Sequence, residues 1–205
     1  MAPFGGSEPL LSPNPMSAGI PTKGDPVLLD ISASITTLNS ARQLLARGER
    51  FPAMWAMDAN GQPSDDPAAV LSGGGSLLPT GGFDHGHKGY GMALLAEALT
   101  QGLPGYGRAD APTGTTMGIY LQVTDPAAFA GKDAFTRQSQ WLVDACHANK
   151  PLPGRPRVRM PGEQAMVKKR QAALAGVPLG HGVMASLEPA ALAAGLQCPK
   201  AIQTG

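Results

Sequence analysis

The densest run of chemically capable side chains is Phe83-Asp84-His85-Gly86-His87-Lys88-Gly89-Tyr90-Gly91. It follows a glycine-dense stretch (Gly73, Gly74, Gly75, Gly81, Gly82) and leads into an apolar run containing Met92, Leu94, Leu95, Ala96, Ala98 and Leu99. A loop placed there offers an anion free backbone N–H groups, the positive end of a helix dipole and the charge of Lys88. Its glycines let a phosphate or carboxylate approach the backbone. The alternative is a loop that only caps the helix. His85 and His87 alternate as two metal ligands would, but no third ligand stands out, so no metal is expected.

Three arginines, Arg155, Arg157 and Arg159, alternate along an extended Pro-rich stretch. A period of two puts them on one side of the chain, as a basic strip beside a phosphate or as a solvated edge. His147 and His181 are expected to be solvated. The two cysteines, Cys146 and Cys198, are too few for a disulfide scaffold or a four-thiolate zinc site and are expected to be buried or idle thiols. Asp58-Ala59-Asn60-Gly61 lacks the later acidic ligands of a calcium loop and reads as a turn. The G-x-G-x-x-G and G-x-x-x-x-G-K-[ST] nucleotide fingerprints and the G-x-S-x-G elbow are absent from the sequence.

These residues need elements to position them. Residues 1–15 are rich in Pro, Gly and Ser and read as irregular backbone. Two apolar runs, Met16 to Pro21 and Pro26 to Ser32, flank Thr22-Lys23-Gly24-Asp25, which has turn chemistry; a β-hairpin is expected. The second strand is apolar on successive residues and is expected to be covered on both faces. Leu38, Ala41, Leu44 and Leu45 are spaced for a helix within Ser34–Arg47. Residues 58–82 read as a long loop. The helix beginning at His87 is apolar almost all round and is expected to be buried. Thr115 to Thr124 reads as a strand. Residues 131–149 read as an amphipathic helix with Phe135, Trp141, Leu142 and Ala145 inward, and helices at 163–175 and 186–195 close the chain. Early strands and late helices predict an α+β fold, with a largely antiparallel sheet and flanking helices.

Composition excludes several classes. The 205 residues are 42% hydrophobic, enough for a core, and only 15% charged. Sixteen Lys and Arg against fifteen Asp and Glu give a net charge of +1. Such a balance has no general attraction for nucleic acid or an anionic membrane. No apolar run is long enough to span a bilayer. Met1 to Gly6 lacks the basic and apolar regions of a signal peptide, so a cytoplasmic location is expected.

Five segments carry a resemblance: Pro3-Phe4-Gly5-Gly6, Asn14-Pro15, Pro26-Val27-Leu28-Leu29-Asp30-Ile31-Ser32, Gly86-His87-Lys88-Gly89-Tyr90-Gly91 and Arg159-Met160-Pro161-Gly162-Glu163. Their order and spacing resemble the malate/L-lactate dehydrogenase family of NAD(P)-dependent oxidoreductases. That family includes ureidoglycolate and sulfolactate dehydrogenases and has a non-Rossmann dinucleotide-binding domain. The resemblance covers essentially the whole chain. One departure is Pro13, where the family usually has Thr. Another is length: family members are considerably longer, and carry upstream a general acid/base histidine in a Ser-His-Gly context with a nearby arginine. Ser-His-Gly does not occur here. The chain is therefore expected to correspond to the family's C-terminal portion, with no catalytic residue of its own.

The resemblance implies NAD or NADP as cofactor and hydride transfer to or from a small 2-hydroxy or 2-keto acid. Pro26, Val27, Leu28, Leu29, Asp30, Ile31 and Ser32 would line the adenosine or ribose region, with Asp30 suited to a ribose hydroxyl pair. His87 and Lys88 would contact the pyrophosphate or nicotinamide side, and Gly162, Glu163 and Gln164 would close over the cofactor. Residues 1–165 would form most of the dinucleotide-binding domain, and 166–205 C-terminal helices packing on a segment outside this sequence. A homodimer is implied, without nucleic-acid or membrane partners. The alternative role is a non-catalytic dinucleotide-binding remnant or dimer partner lacking the catalytic histidine.

Overall fold

The computed structural model describes residues 1–114, 116–180 and 182–200. The expected hairpin forms from β1 (Met16–Ile20) and β2 (Val27–Ile31), antiparallel, with Met16 opposite Ile31 and Ile20 opposite Val27. Its turn is held locally: Thr22 Oγ1 donates to the Asp25 carbonyl at 2.8 Å and accepts from the Gly24 N–H at 3.0 Å. Only Val27 of β2 is buried, and Leu28 and Leu29 are half-buried, so the strand is not covered on both faces as its run of apolar residues predicts.

Helix α1 (Leu38–Ala46) starts where Thr37 caps it by accepting from the Ser40 N–H. The stretch 58–82, expected to be loop, instead helps build a second antiparallel sheet. β3 (Ala56–Met57) lies between β4 (Pro63–Ser64) and β5 (Ser76–Leu77), with the short helix α2 (Ala68–Leu71) packed on it. Strands of two residues are too short to leave an alternating pattern, so the sequence carries no signal for them. A turn of helix, α3 (Gly82–His85), runs into α4 (His87–Glu97).

The core consists of three small clusters. Met1, Leu11, Ala33 and Ala93 form one; Ala41, Phe51, Ala56 and Leu77 a second; Ala2, Met57 and Leu78 the third. Every buried hydrophobic among the described residues lies at or before Ala93. Helix α4 reads as buried from its sequence, but only Gly89 and Ala93 are, and Leu94 and Leu95 are exposed. Its apolar residues outnumber the neighbours available to cover them.

The second half is held mostly by polar contacts to the hairpin. Helix α5 (Lys132–Ala148) turns a polar stripe inward: Ser139 Oγ donates to the Pro21 carbonyl at 2.6 Å, and Gln140 Oε1 accepts from the Lys23 N–H at 3.0 Å. Phe135, Trp141, Leu142 and Ala145, expected inward, face solvent instead. Helix α6 (Glu163–Ala175) is tied to the same turn by Arg170, bidentate on Asp25 at 2.9 Å for both bonds. Helix α7 (Val183–Ala193) starts three residues earlier than its pattern predicts. The strand expected at 115–124 does not form over its described part, since Thr116 to Thr124 take no part in a ladder. A strand needs a neighbour, and the described residues offer this one none. Thr115 itself lies outside the described residues.

Candidate cofactor-binding site

Strand β2 organises the site. At its start, the Leu28 N–H donates to the Pro161 carbonyl at 3.1 Å. The residue after Pro161, Gly162, caps α6 with φ of 83°, a left-handed conformation that favours glycine. A Cβ at Gly162 would lie 2.5 Å from Leu28 Cβ, so the approach of these two segments depends on its absence. At the far end of β2, Thr80 makes the link. Its hydroxyl donates to the Ser32 carbonyl at 3.0 Å and its N–H to the Ala33 carbonyl at 2.8 Å, while its own carbonyl accepts from the Gly89 N–H at 3.0 Å. A Cβ on Gly89 would collide with the Ala33 carbonyl and the Thr80 backbone.

Two of the expected segments thus meet β2 at opposite ends. Pro161-Gly162 abuts Leu28, and the start of α4, carrying His87 and Lys88, is joined through Thr80 to Ser32 and Ala33. His87 and Lys88 are exposed, while the flanking Gly86 and Gly89 are buried. The His87 ring meets Phe4 edge-on at 5.8 Å between centroids and lies 6.2 Å from His85. The free N–H groups expected at the helix start are reduced, because the Gly89 N–H is committed to Thr80. Asp30 is exposed and accepts from Ser17 Oγ at 3.3 Å.

Glu163 is engaged within the protein. Its carboxylate takes the Arg157 guanidinium, the Met160 N–H at 3.1 Å and His147 Nε2 at 3.5 Å. Arg157 above all holds its carboxyl well below the usual range, at about 2. Arg157 is thus committed to Glu163 rather than free for a phosphate. Gln164 is exposed in the first turn of α6.

Thr80 and the Pro161 carbonyl are not legible as linkers from the sequence, since both act through long-range bonds to backbone. The role of Asn14 is likewise invisible there. Its Nδ2 donates to Glu97 Oε1 at 2.9 Å and to the Ala93 carbonyl at 3.2 Å, and Arg108 grips the same carboxylate through Nε at 3.0 Å and Nη2 at 2.8 Å. This locks the Asn14-Pro15 segment to the end of α4.

A cleft of about 410 Å³ lies between the Phe4-Gly5-Gly6 loop and Met57, Leu78, Pro79 and Phe83, next to the Phe4–His87 contact. A larger one of about 1530 Å³, between α6 and α7, is lined by none of the expected site residues. Among the described residues no three His, Cys, Asp or Glu side chains are grouped to hold a metal, and no helix is long and apolar enough to cross a membrane. Cys146 and Cys198 are free thiols. His181 lies outside the described residues.

Comparison with known proteins agrees with the motif-based expectation. The family described as malate/L-lactate dehydrogenase matches residues 1–188. Ureidoglycolate dehydrogenase (NAD(+)) from Escherichia coli O157:H7 is 31% identical over 189 residues, which is 87% of this chain and 52% of that protein. (2R)-3-sulfolactate dehydrogenase (NADP(+)) from Chromohalobacter salexigens is 31% identical over 183 residues, covering 83% of this chain and 50% of that one. The crystal structure of malate dehydrogenase from Entamoeba histolytica superposes with a TM-score of 0.82 at 21% identity, over 97% of this chain and 59% of its own; at that identity it speaks for the fold alone. The chain spans about half the length of the curated relatives it matches. With five motif segments in family order and a family match over nearly its whole length, the chain belongs to the malate/L-lactate dehydrogenase family.

Proposed function

We propose that this chain forms the dinucleotide-binding part of an oxidoreductase that moves a hydride between NAD or NADP and a small 2-hydroxy or 2-keto acid. The observation that carries the reading is the arrangement about β2, whose two ends are joined to the Pro161-Gly162-Glu163 turn and to the start of α4. An extended ligand laid along β2 meets both. The residues suit such a ligand: Asp30 offers an exposed carboxylate for a ribose hydroxyl pair and Lys88 an exposed charge for phosphate, while Gly162 and Gly89 let the flanking segments pack against Leu28 and Ala33. Glu163 acts here as a positioning residue, folding the 157–163 turn rather than touching the cofactor.

The cofactor would supply or accept the hydride. The relatives' own names divide between NAD(+) and NADP(+), and Asp30 favours NAD because a carboxylate repels a 2′-phosphate. Residues 1–165 serve as most of the dinucleotide-binding domain, and 166–205 as helices that pack on a further segment of the family fold. The reading includes a homodimer working in the cytoplasm, without nucleic-acid or membrane partners.

Fluorescence titration of the 205-residue chain with NADH and NADPH tests the reading. Saturable binding, tighter for NADH, is expected; no saturable binding to either would overturn it.

A further inference from the structure

Glu163 anchors the turn that β2 meets, and one of its partners comes from another element. Its Oε1 takes the Arg157 guanidinium and its Oε2 the Met160 N–H at 3.1 Å, both from the turn itself. The third partner is His147 in the last turn of α5, whose Nε2 lies 3.5 Å from Oε2. Among the described residues this is the only salt bridge between α5 and the 157–163 turn. At 3.5 Å the contact is longer than an ordinary N–H···O bond, so a neutral ring gains little from it. A protonated ring gains the attraction of a carboxylate partly shielded from water. It also sits at the end of a helix whose dipole favours a cation.

We propose that His147 is a positioning residue for the cofactor: its protonation clamps the 157–163 turn to the end of α5 and makes dinucleotide affinity depend on pH. This rests on the dinucleotide reading above and adds a group that acts through Glu163 rather than on the ligand. The turn supplies the Pro161 carbonyl that accepts from the Leu28 N–H, and the Gly162 backbone that packs on Leu28. A turn already held against β2 needs less ordering when the dinucleotide arrives, and that saving appears as affinity.

The groups around the ring set the sign. Glu163, held at about 2, stays ionised throughout the range of about pH 5 to 8 in which histidines change charge. Arg157 shares its carboxylate and opposes a second cation there. From the hairpin, Asp25 feels the Glu163 charge and is itself paired with Arg170 of α6 at 2.9 Å. On α5, Asp144 accepts from Gln140 Nε2 at 2.8 Å, and Lys150 beyond the helix is exposed. Of these groups only the imidazole ordinarily changes charge near neutrality. Acid therefore tightens the turn, and alkali releases it.

The test is fluorescence titration with NADH from about pH 6 to about pH 8, on the full chain and on His147→Gln and His147→Lys. Thermal unfolding checks that each variant folds. The unaltered chain is expected to bind NADH about two- to fivefold more weakly at the alkaline end, the size of a partly exposed ion pair. His147→Gln should stay near the weak end throughout, and His147→Lys, permanently charged, near the tight end. Any slope due to His85 and His87 is common to all three chains. The same slope in all three overturns the role of His147 while the dinucleotide reading stands. No saturable NADH binding by any of the three at any pH overturns both.

Discussion

Gly162 and Leu28 lie against one another so closely that a Cβ on the glycine would come within 2.5 Å of Leu28 Cβ. The contact joins the start of β2 to the start of α6, two elements far apart in the chain, and is reinforced by the Leu28–Pro161 hydrogen bond of 3.1 Å. Gly162→Ala meets both a steric barrier and a left-handed φ of 83°. The expected cost is about 1–3 kcal/mol, the range for a side chain forced into a sparsely populated backbone region. Urea unfolding followed by circular dichroism measures it; an unchanged midpoint contradicts the packing.

Lys88 is exposed between two buried glycines and is expected to contact the dinucleotide phosphates. Lys88→Ala should weaken NADH binding by about 1.5–3 kcal/mol, the range for hydrogen bonds to charged groups, with the fold unchanged. Fluorescence titration reads the loss, and equal affinity removes Lys88 from the site.

The Glu163 carboxyl sits at about 2 when folded against 4.5 for the free group. A depressed carboxyl stabilises the fold above the unfolded value and loses that contribution as pH falls from 4.5 toward about 2. Asp25 and Glu97 are lowered too, by Arg170 and Arg108, and lose stability in the same direction. The part due to Glu163 is therefore the difference from Glu163→Gln. The variant is expected to be the less stable at about pH 7, and the gap should close near about pH 2. A gap that stays constant across that range would show that the Arg157 pairing does not act through charge.

Glu97 receives Arg108 and Asn14 together at the end of α4, and its side chain is largely shielded. Glu97→Ala takes the carboxylate from Arg108 and leaves Asn14 with the Ala93 carbonyl alone. A loss of about 1.5–3 kcal/mol is expected from thermal unfolding at neutral pH, by the same charged-group range. A shift within error would mean that the cluster is a surface pair of little worth.

The elements that are legible in the sequence are those that signal themselves locally. Thr22-Lys23-Gly24-Asp25 between apolar runs announces the hairpin, and the spacing of Leu38, Ala41 and Leu45 announces α1. Which face is covered is not legible. Trp141 and Leu142 are apolar, yet α5 turns Ser139 and Gln140 toward the hairpin, because the bonds to Pro21 and Lys23 are what it finds there. The residues after Thr115 read as a strand, but a ladder is a property of two segments, not one. At the site, motif order leads one to expect β2, His87-Lys88 and Gly162-Glu163 in a single domain. The links between them, Thr80 and the Pro161 carbonyl, carry no motif because any residue type has a backbone to offer.

A dinucleotide bound as proposed lies along β2 and touches both ends at once. Hydrogen–deuterium exchange of the full chain, with and without saturating NADH, measures that directly. Slowed exchange is expected in residues 26–32, 87–91 and 161–164 together, with residues 166–195 unchanged. Protection confined to the cleft between α6 and α7, or none in any of the three segments despite bound NADH, would contradict it.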